Sequence, residues 1–214
     1  RGRHYQHLWR TKGCEEVRLV LASQSAGRRA ILANAGIVHD AMTSPCDEEA
    51  EKAHLRAQGV DPRGLALGLA EAKALATSPL CPGAIVLGCD QTLALEDGTM
   101  FDKARTLAEQ ADHLRHLSGK THSLYAAIVA VRDGERLWRH VGEARMTMRP
   151  LTDAFIEDYL AHEGEDLLSG VGGYRVEGRG IQLFERIEGS QFNIIGLPLL
   201  PLLAFLREAG VISA

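Results

Sequence analysis

The segment from Ala84 to Lys103, AIVLGCDQTLALEDGTMFDK, holds the residues best spaced to do chemistry. Ala84 to Leu87 is an apolar run of strand length, and Gly88 thins the backbone just before Asp90, so the carboxylate emerges where the strand leaves the core. Gln91 to Leu95 continues extended, Asp97-Gly98 is a strong hairpin-turn pair, and the returning arm is expected to carry Lys103 back to face Asp90. An acid opposite a base suits chemistry on a polyphosphate. The bland alternative is an acidic strand end beside an exposed lysine.

A second candidate is the turn in LASQSAGRRAIL, which joins a strand to a helix. It sets Ser23, Ser25 and the amides of Ala26, Gly27 and Arg28 at the positive end of a helix dipole, where phosphate would settle. Arg28 and Arg29 oppose that dipole, so their presence makes better sense if the two share an anion. The alternative is Ser25 as an ordinary N-cap with two solvated arginines. Asp47, Glu48, Glu49 and Glu51 read as a solvated acidic loop after Pro45. One of them is enough for a function. A magnesium-like cation wants one or two carboxylates plus phosphate oxygens, so Glu48 with Asp90 could hold it against a triphosphate.

The elements that must position these groups alternate as short apolar strands and helices, the signature of an α/β domain with a mixed sheet. Val17 to Ala22 reads as a strand, Ala26 to Ala35 as a helix closed by Gly36, and Ile37 to Thr43 as a second strand. Asp61 to Ala76 reads as a helix with Leu65, Leu69, Ala72 and Ala76 on one stripe and Lys73 beside it, able to present an amine to a cleft. After the hairpin come a helix from Thr106 to Leu117, two long antiparallel strands bracketing Asp133-Gly134, and a short helix from Thr152 to Ala161. The last third is dense in glycine, which suits tight turns and close ligand approach better than regular structure, before a final helix from Leu199 to Glu208.

Composition limits the function classes. The 214 residues carry a net charge of -4, which argues against broad nucleic-acid binding, and the basic arm from Arg1 to Arg18 is too sparse to reverse that. No apolar run approaches the ~18 residues needed to cross a bilayer, so a soluble, cytoplasmic protein without membrane or nucleic-acid partners is expected. Cys14, Cys46, Cys81 and Cys89 have neither zinc nor redox spacing and are read as free thiols. His113 and His116 are assigned to a solvated helix face, with no chemistry. Residues 1–16 read as a flexible extension, and 17–214 as the catalytic domain.

Taken together, LASQSAGRR, SPCDEE, LAEAKA, GCDQT, FDKA, LSGKTH, GVGGYRVEGRGIQLFERIEGS and NIIGLPL resemble the Maf family of nucleotide pyrophosphatases, in the family's order, from Leu21 to Leu203. The resemblance implies an α/β enzyme with an extended mixed sheet flanked by helices, two lobes and a central cleft, which splits a nucleoside triphosphate into the monophosphate and pyrophosphate. It further implies Asp90 as general base or metal-bound acid, with Glu48 sharing a divalent cation, Mg2+ or Mn2+. Lys73 and Lys103 would neutralise phosphate charge together with Ser23, Ser25 and Arg29. Family history also allows a non-catalytic nucleotide-binding regulator of cell division, but retention of both acids and both lysines counts against it. LSGKTHS and the strand after it are read as structure or as a homodimer contact, and Tyr174 and Arg175 as base contacts or ordinary structural residues.

Departures bear on the substrate. Ala26 and Ala104 stand where several members have proline, which rigidifies without adding chemistry, and Cys89 next to the acid is read as packing. Gln91 and Glu177 resemble the branch acting on 7-methylguanosine triphosphate more than the thymidine and uridine branch, since a glutamate accepts from guanine N1 and its amine. Gly27, however, stands where that branch carries a tryptophan able to stack on a cationic base.

Overall fold

The computed structural model describes residues 17–213. The chain runs β1 (Leu19–Ala22), α1 (Ala26–Asn34), β2 (Asp40–Ala41), α2 (Glu48–Ala57), α3 (Pro62–Thr77), β3 (Ile85–Leu95) and β4 (Met100–Phe101). It continues as α4 (Leu107–Leu117), β5 (Thr121–Arg132), β6 (Glu135–Met148), α5 (Asp153–Glu163), β7 (Phe184–Gly189), α6 (Gln191–Ile195) and α7 (Leu199–Glu208). One sheet contains all seven strands in the order β2-β1-β3-β5-β6-β7, with β4 paired to β3. β3 is its pivot, parallel to β1 and antiparallel to β5.

Because side chains alternate along a strand, β3 serves two layers at once. Ile85, Leu87 and Cys89 join Leu19, Leu21 and the apolar sides of α1 and α7. Val86 faces the other way, into a cluster with Val20, Val129 and the small α3 residues Ala66, Ala70 and Ala74. Beyond Asp90 the strand passes into a second packing centre, where Leu93 and Leu124 meet Leu114 of α4, Met146 of β6 and Tyr159 of α5. The cleft opens where these centres part.

The second strand proves to be two residues long: only Asp40 and Ala41 pair with β1, at Val20 and Leu21, and the rest of Ile37 to Thr43 lies outside the ladder. The acidic run is not a loop: Asp47 accepts from Ala50 N at 3.0 Å as an N-cap, and Glu48, Glu49 and Glu51 occupy the first turn of α2, where carboxylates favour the dipole. The glycine-dense region also contains regular structure, in that β7 closes the sheet edge. The stripe on α3 falls on Leu65, Ala66, Leu69, Ala70 and Ala74, with Ala72 and Ala76 only half-buried. The proposed extension of residues 1–16, with Cys14 and most of the basic arm, lies outside the described residues, whereas Cys46, Cys81 and Cys89 are free thiols as expected. No helix among the described residues is long and apolar enough to cross a membrane.

One buried pair stiffens the second centre. His122 of β5, fully buried, hydrogen-bonds through Nε2 to the Tyr174 hydroxyl at 2.6 Å. Burial lowers the imidazole from 6.5 to about 4, so the folded state keeps it neutral while the unfolded chain protonates it. The unfolded state therefore binds the extra proton, and the stability His122 contributes above pH 6.5 is lost as pH falls toward 4, a loss on the order of 3 kcal/mol. In urea unfolding at pH 7 and pH 4.5, His122→Gln should be less acid-sensitive than the parent by most of that amount. Equal pH dependence of the two proteins would contradict the assignment.

Candidate active site

The site begins with a close approach between α3 and β3. Gly88 lies against the helix so tightly that a Cβ there would fall on Ala70 O and within 2.7 Å of Ala74 N. Only glycine permits that spacing. Two residues on, Asp90 points to the same face as Gly88, and Lys73 lies one turn along α3 from Ala70. Lys73 Nζ donates to Asp90 Oδ1 at 2.6 Å and approaches Glu48 Oε2 of α2 at 2.8 Å. Thr92, the next residue on that face of β3, donates to Pro62 O at 2.7 Å and pins the start of α3. One ammonium thus gathers two carboxylates from elements far apart in sequence.

The electrostatics follow from burial. The side chains of Lys73 and Asp90 are 13% and 10% exposed, and that of Glu48 is 47% exposed. Burial pushes the Asp90 carboxyl up, and Lys73 and Arg28 only partly offset it. For Lys73, burial works downward, but Asp90 and Glu48 outweigh it and raise the amine, which stays charged. Burial also works against the Glu48 carboxylate, yet the hydrogen bond and charge of Lys73, with Lys103 and Lys52, hold it below its usual range. Cys89, fully buried, is pushed up to about 11 by burial, so it is packing and not a nucleophile.

Two adjoining cavities of about 320 and 900 Å³ share Ser25, Arg28, Glu48, Lys73, Gln91 and Lys103, and so form one cleft. Asp90 lines the smaller part, and Ser23, Gly27 and Glu177 line the larger. Ser25 accepts from Arg28 N at 3.4 Å as the N-cap of α1, and Ser23 Oγ accepts from Ser25 N at 3.3 Å. Arg28 spans the site, donating Nε to Gly196 O at 2.8 Å and Nη1 to Ser23 Oγ and Cys89 O, both at 3.2 Å. Gly196, at φ +99°, closes α6 in the left-handed region and turns that carbonyl toward the arginine. Gln91 donates to Asn193 O at 2.8 Å and Ile194 O at 3.0 Å, tying β3 to α6.

Several expectations are corrected by this geometry. Lys103 does not pair with Asp90; it lines the same cavity and acts on Glu48, while the partner of Asp90 is Lys73. The hairpin pairs only at Leu93–Phe101 and Ala94–Met100, so its arm diverges before Lys103. Of the two arginines, Arg28 lines both cavities, whereas Arg29 is exposed and lines neither. Tyr174 and Arg175, left open between base contacts and structural residues, both line the larger cavity, where the Tyr174 hydroxyl meets His122 and Arg175 pairs with Asp166. His113 and His116 pack against Phe101, and no metal-binding group of three or more His, Cys, Asp or Glu exists among the described residues. Sequence reasoning missed Lys52, Arg56 and Asp102, which line the smaller cavity. The spacing of Glu48, Lys52 and Arg56, every fourth residue behind Asp47, was the available signal.

A family model described as Maf-like protein matches residues 18–209, from the edge of β1 to the end of α7. The chain belongs to the Maf family. Among curated relatives, a nucleoside triphosphate pyrophosphatase of Sphingopyxis alaskensis is 50% identical over 193 residues, covering 90% of this chain and 98% of the relative. A 7-methyl-GTP pyrophosphatase of Rhizobium meliloti is 53% identical over 197 residues, covering 92% and 98%. Another nucleoside triphosphate pyrophosphatase, from Hyphomonas neptunium, is 50% identical over 194 residues, covering 91% and 97%. The Maf match takes in both packing centres and every residue of the cleft, so the ammonium between two carboxylates is part of a whole Maf chain.

The dependence on Gly88 is testable. Gly88→Ala should lower the melting temperature by an amount equivalent to about 1–3 kcal/mol, and spread α3 from β3, lowering activity as well. A variant with parent stability and parent turnover would show that the close approach is not required.

Proposed function

We propose that the protein hydrolyses nucleoside triphosphates to the monophosphate and pyrophosphate in this cleft. The observation that carries the reading is Lys73 held between Asp90 and Glu48 in one polyphosphate-sized cavity, in a chain whose relatives at 50% identity are named pyrophosphatases. Water attacks the α-phosphorus, the new P–O bond forms as the α–β anhydride bond breaks, and pyrophosphate leaves with the bonding pair. Asp90, which lines the smaller cavity, accepts the water's proton. Lys73, Lys103 and Arg28 offset charge on the phosphoryl oxygens, and the N-terminus of α1 with Ser23 and Ser25 lies beside them.

A divalent cation, Mg2+ or Mn2+, fits the donor set, since two carboxylates reach one point and hard cations take oxygen ligands together with phosphate. Glu48 and Asp90 would hold it, and it would supply further neutralisation of the phosphates. Glu177 on the wall of the larger cavity favours a guanine-type base, whose N1–H and amine can both donate to one carboxylate. At Gly27 a Cβ would lie 2.9 Å from Ile195 Cγ2, and glycine itself offers no ring, so stacking from this position is not part of recognition.

Asp90→Asn should lower kcat by roughly 10² to 10⁴ with the circular dichroism of the parent retained. Activity is read as pyrophosphate against orthophosphate release over GTP, 7-methyl-GTP, UTP and dTTP with magnesium or manganese. Pyrophosphate with preference for the two guanine substrates is expected. Orthophosphate alone, silence across the panel, or full turnover by Asp90→Asn would each overturn the reading.

A further inference from the structure

A second ionic cluster lies in the cleft, one turn along α2 from Glu48. Lys52 Nζ lies 2.6 Å from Asp102 Oδ1, and Arg56 Nη2 donates to Oδ1 at 3.1 Å and Oδ2 at 3.4 Å. Asp102 directly precedes Lys103 on the hairpin arm, and all four residues line the smaller cavity. Lys52 is drawn well in, at 16% side-chain exposure, which is uncommon for a lysine without a fixed partner.

The location matters because α2 packs along α3 only shallowly. None of its residues is buried, and its apolar contact to α3 is the half-buried Leu55, seated so close to Gly68 that a Cβ there would lie 2.9 Å from Leu55 Cδ2. A helix with so little buried apolar surface belongs to the low-stability end of a fold, where polar contacts decide its position. α2 has two ionic ties: Glu48 to Lys73, and Lys52 with Arg56 to Asp102. In the proposed reaction Glu48 gives up Lys73 to serve a cation and phosphate. The tie to Asp102 is free to persist through that exchange, and it joins the helix bearing Glu48 to the arm bearing Lys103.

We propose that Asp102 is a positioning residue, which clasps α2 through Lys52 and Arg56 and so keeps Glu48 and Lys103 in register across the cleft when substrate binds. The proposal deepens the pyrophosphatase reading and rests on it for its catalytic consequence. Asp102 touches neither reacting atoms nor cation; it acts through the helix. Loss of the clasp therefore moves Glu48 with α2, and a displacement of about 1 Å at such a group can cost up to about a hundredfold in rate.

The test compares the full chain with Asp102→Asn and Asp102→Glu by amide hydrogen exchange over residues 48–57 without substrate, and by kcat and KM. In Asp102→Asn the α2 amides should exchange about tenfold faster or more, with exchange in β3 and β5 unchanged. Its kcat/KM should fall about tenfold or more, mostly in kcat, and Asp102→Glu should restore part of both. Unchanged α2 exchange in Asp102→Asn overturns the proposal whether activity falls or not, since a fall would then mark direct contact with the cation or phosphate. Faster exchange with unchanged kcat/KM also overturns it. A parent protein silent toward triphosphates would remove the pyrophosphatase reading, and the exchange measurement would still decide the clasp.

Discussion

The shared ammonium of Lys73 is the interaction on which the site depends. Two carboxylates from separate elements would repel one another in the partly dry floor of the cleft, and burial alone would favour their protonation. Lys73 makes both tolerable at once and fixes their separation. Without it, burial would act on the Asp90 carboxyl with less to offset it, and Glu48 would lose the partner that draws it to the floor of the cleft. With it, the protein carries an arrangement of charge that, in the proposed reaction, a triphosphate and its counter-ion would take over: cations would face the phosphate oxygens, and carboxylates would turn to a metal ion or a water proton.

That geometry traces back to the sheet. β3 changes neighbours from a parallel to an antiparallel partner, and its two faces serve different layers. One face brings Gly88, Asp90 and Thr92 against α3, and the other brings Gln91 to the carbonyls of α6. The absence of a side chain at Gly88 sets how near α3 can come, and hence whether a lysine of ordinary reach meets Asp90. Buried ion pairs contribute little net stability after desolvation, so Lys73 and Asp90 are better understood as a functional arrangement carried by the apolar layers on either side.

Much of this was legible in the residues. The strand into Asp90, the α3 helix behind its Asp61 cap and Pro62, and the strand-turn-helix at Ser25 all follow from local rules, since each has a cap or a period of its own. Glu48 could be set beside Asp90 as a cation ligand from residue chemistry, and the family resemblance brought Lys73 to the same site. What local rules could not give was the pairing itself. Lys103 is near Asp90 along a hairpin, whereas Lys73 reaches it only through the tertiary contact at Gly88. α2 was hidden because it buries no side chain, so it shows no apolar period, and its signals were a capping aspartate and charges spaced by helical turns. β7 was hidden for a related reason: Phe184 and Ile187 are only half-buried on an edge where charged neighbours guard against further pairing.

The most direct measurement is a crystal structure with a non-hydrolysable α,β-methylene guanosine triphosphate and magnesium. The expected result has the innermost phosphorus beside Asp90, the cation on Glu48 and Asp90, and the Lys73 ammonium on a phosphate oxygen. A triphosphate bound elsewhere, with Lys73 still locked to both carboxylates, would contradict the account.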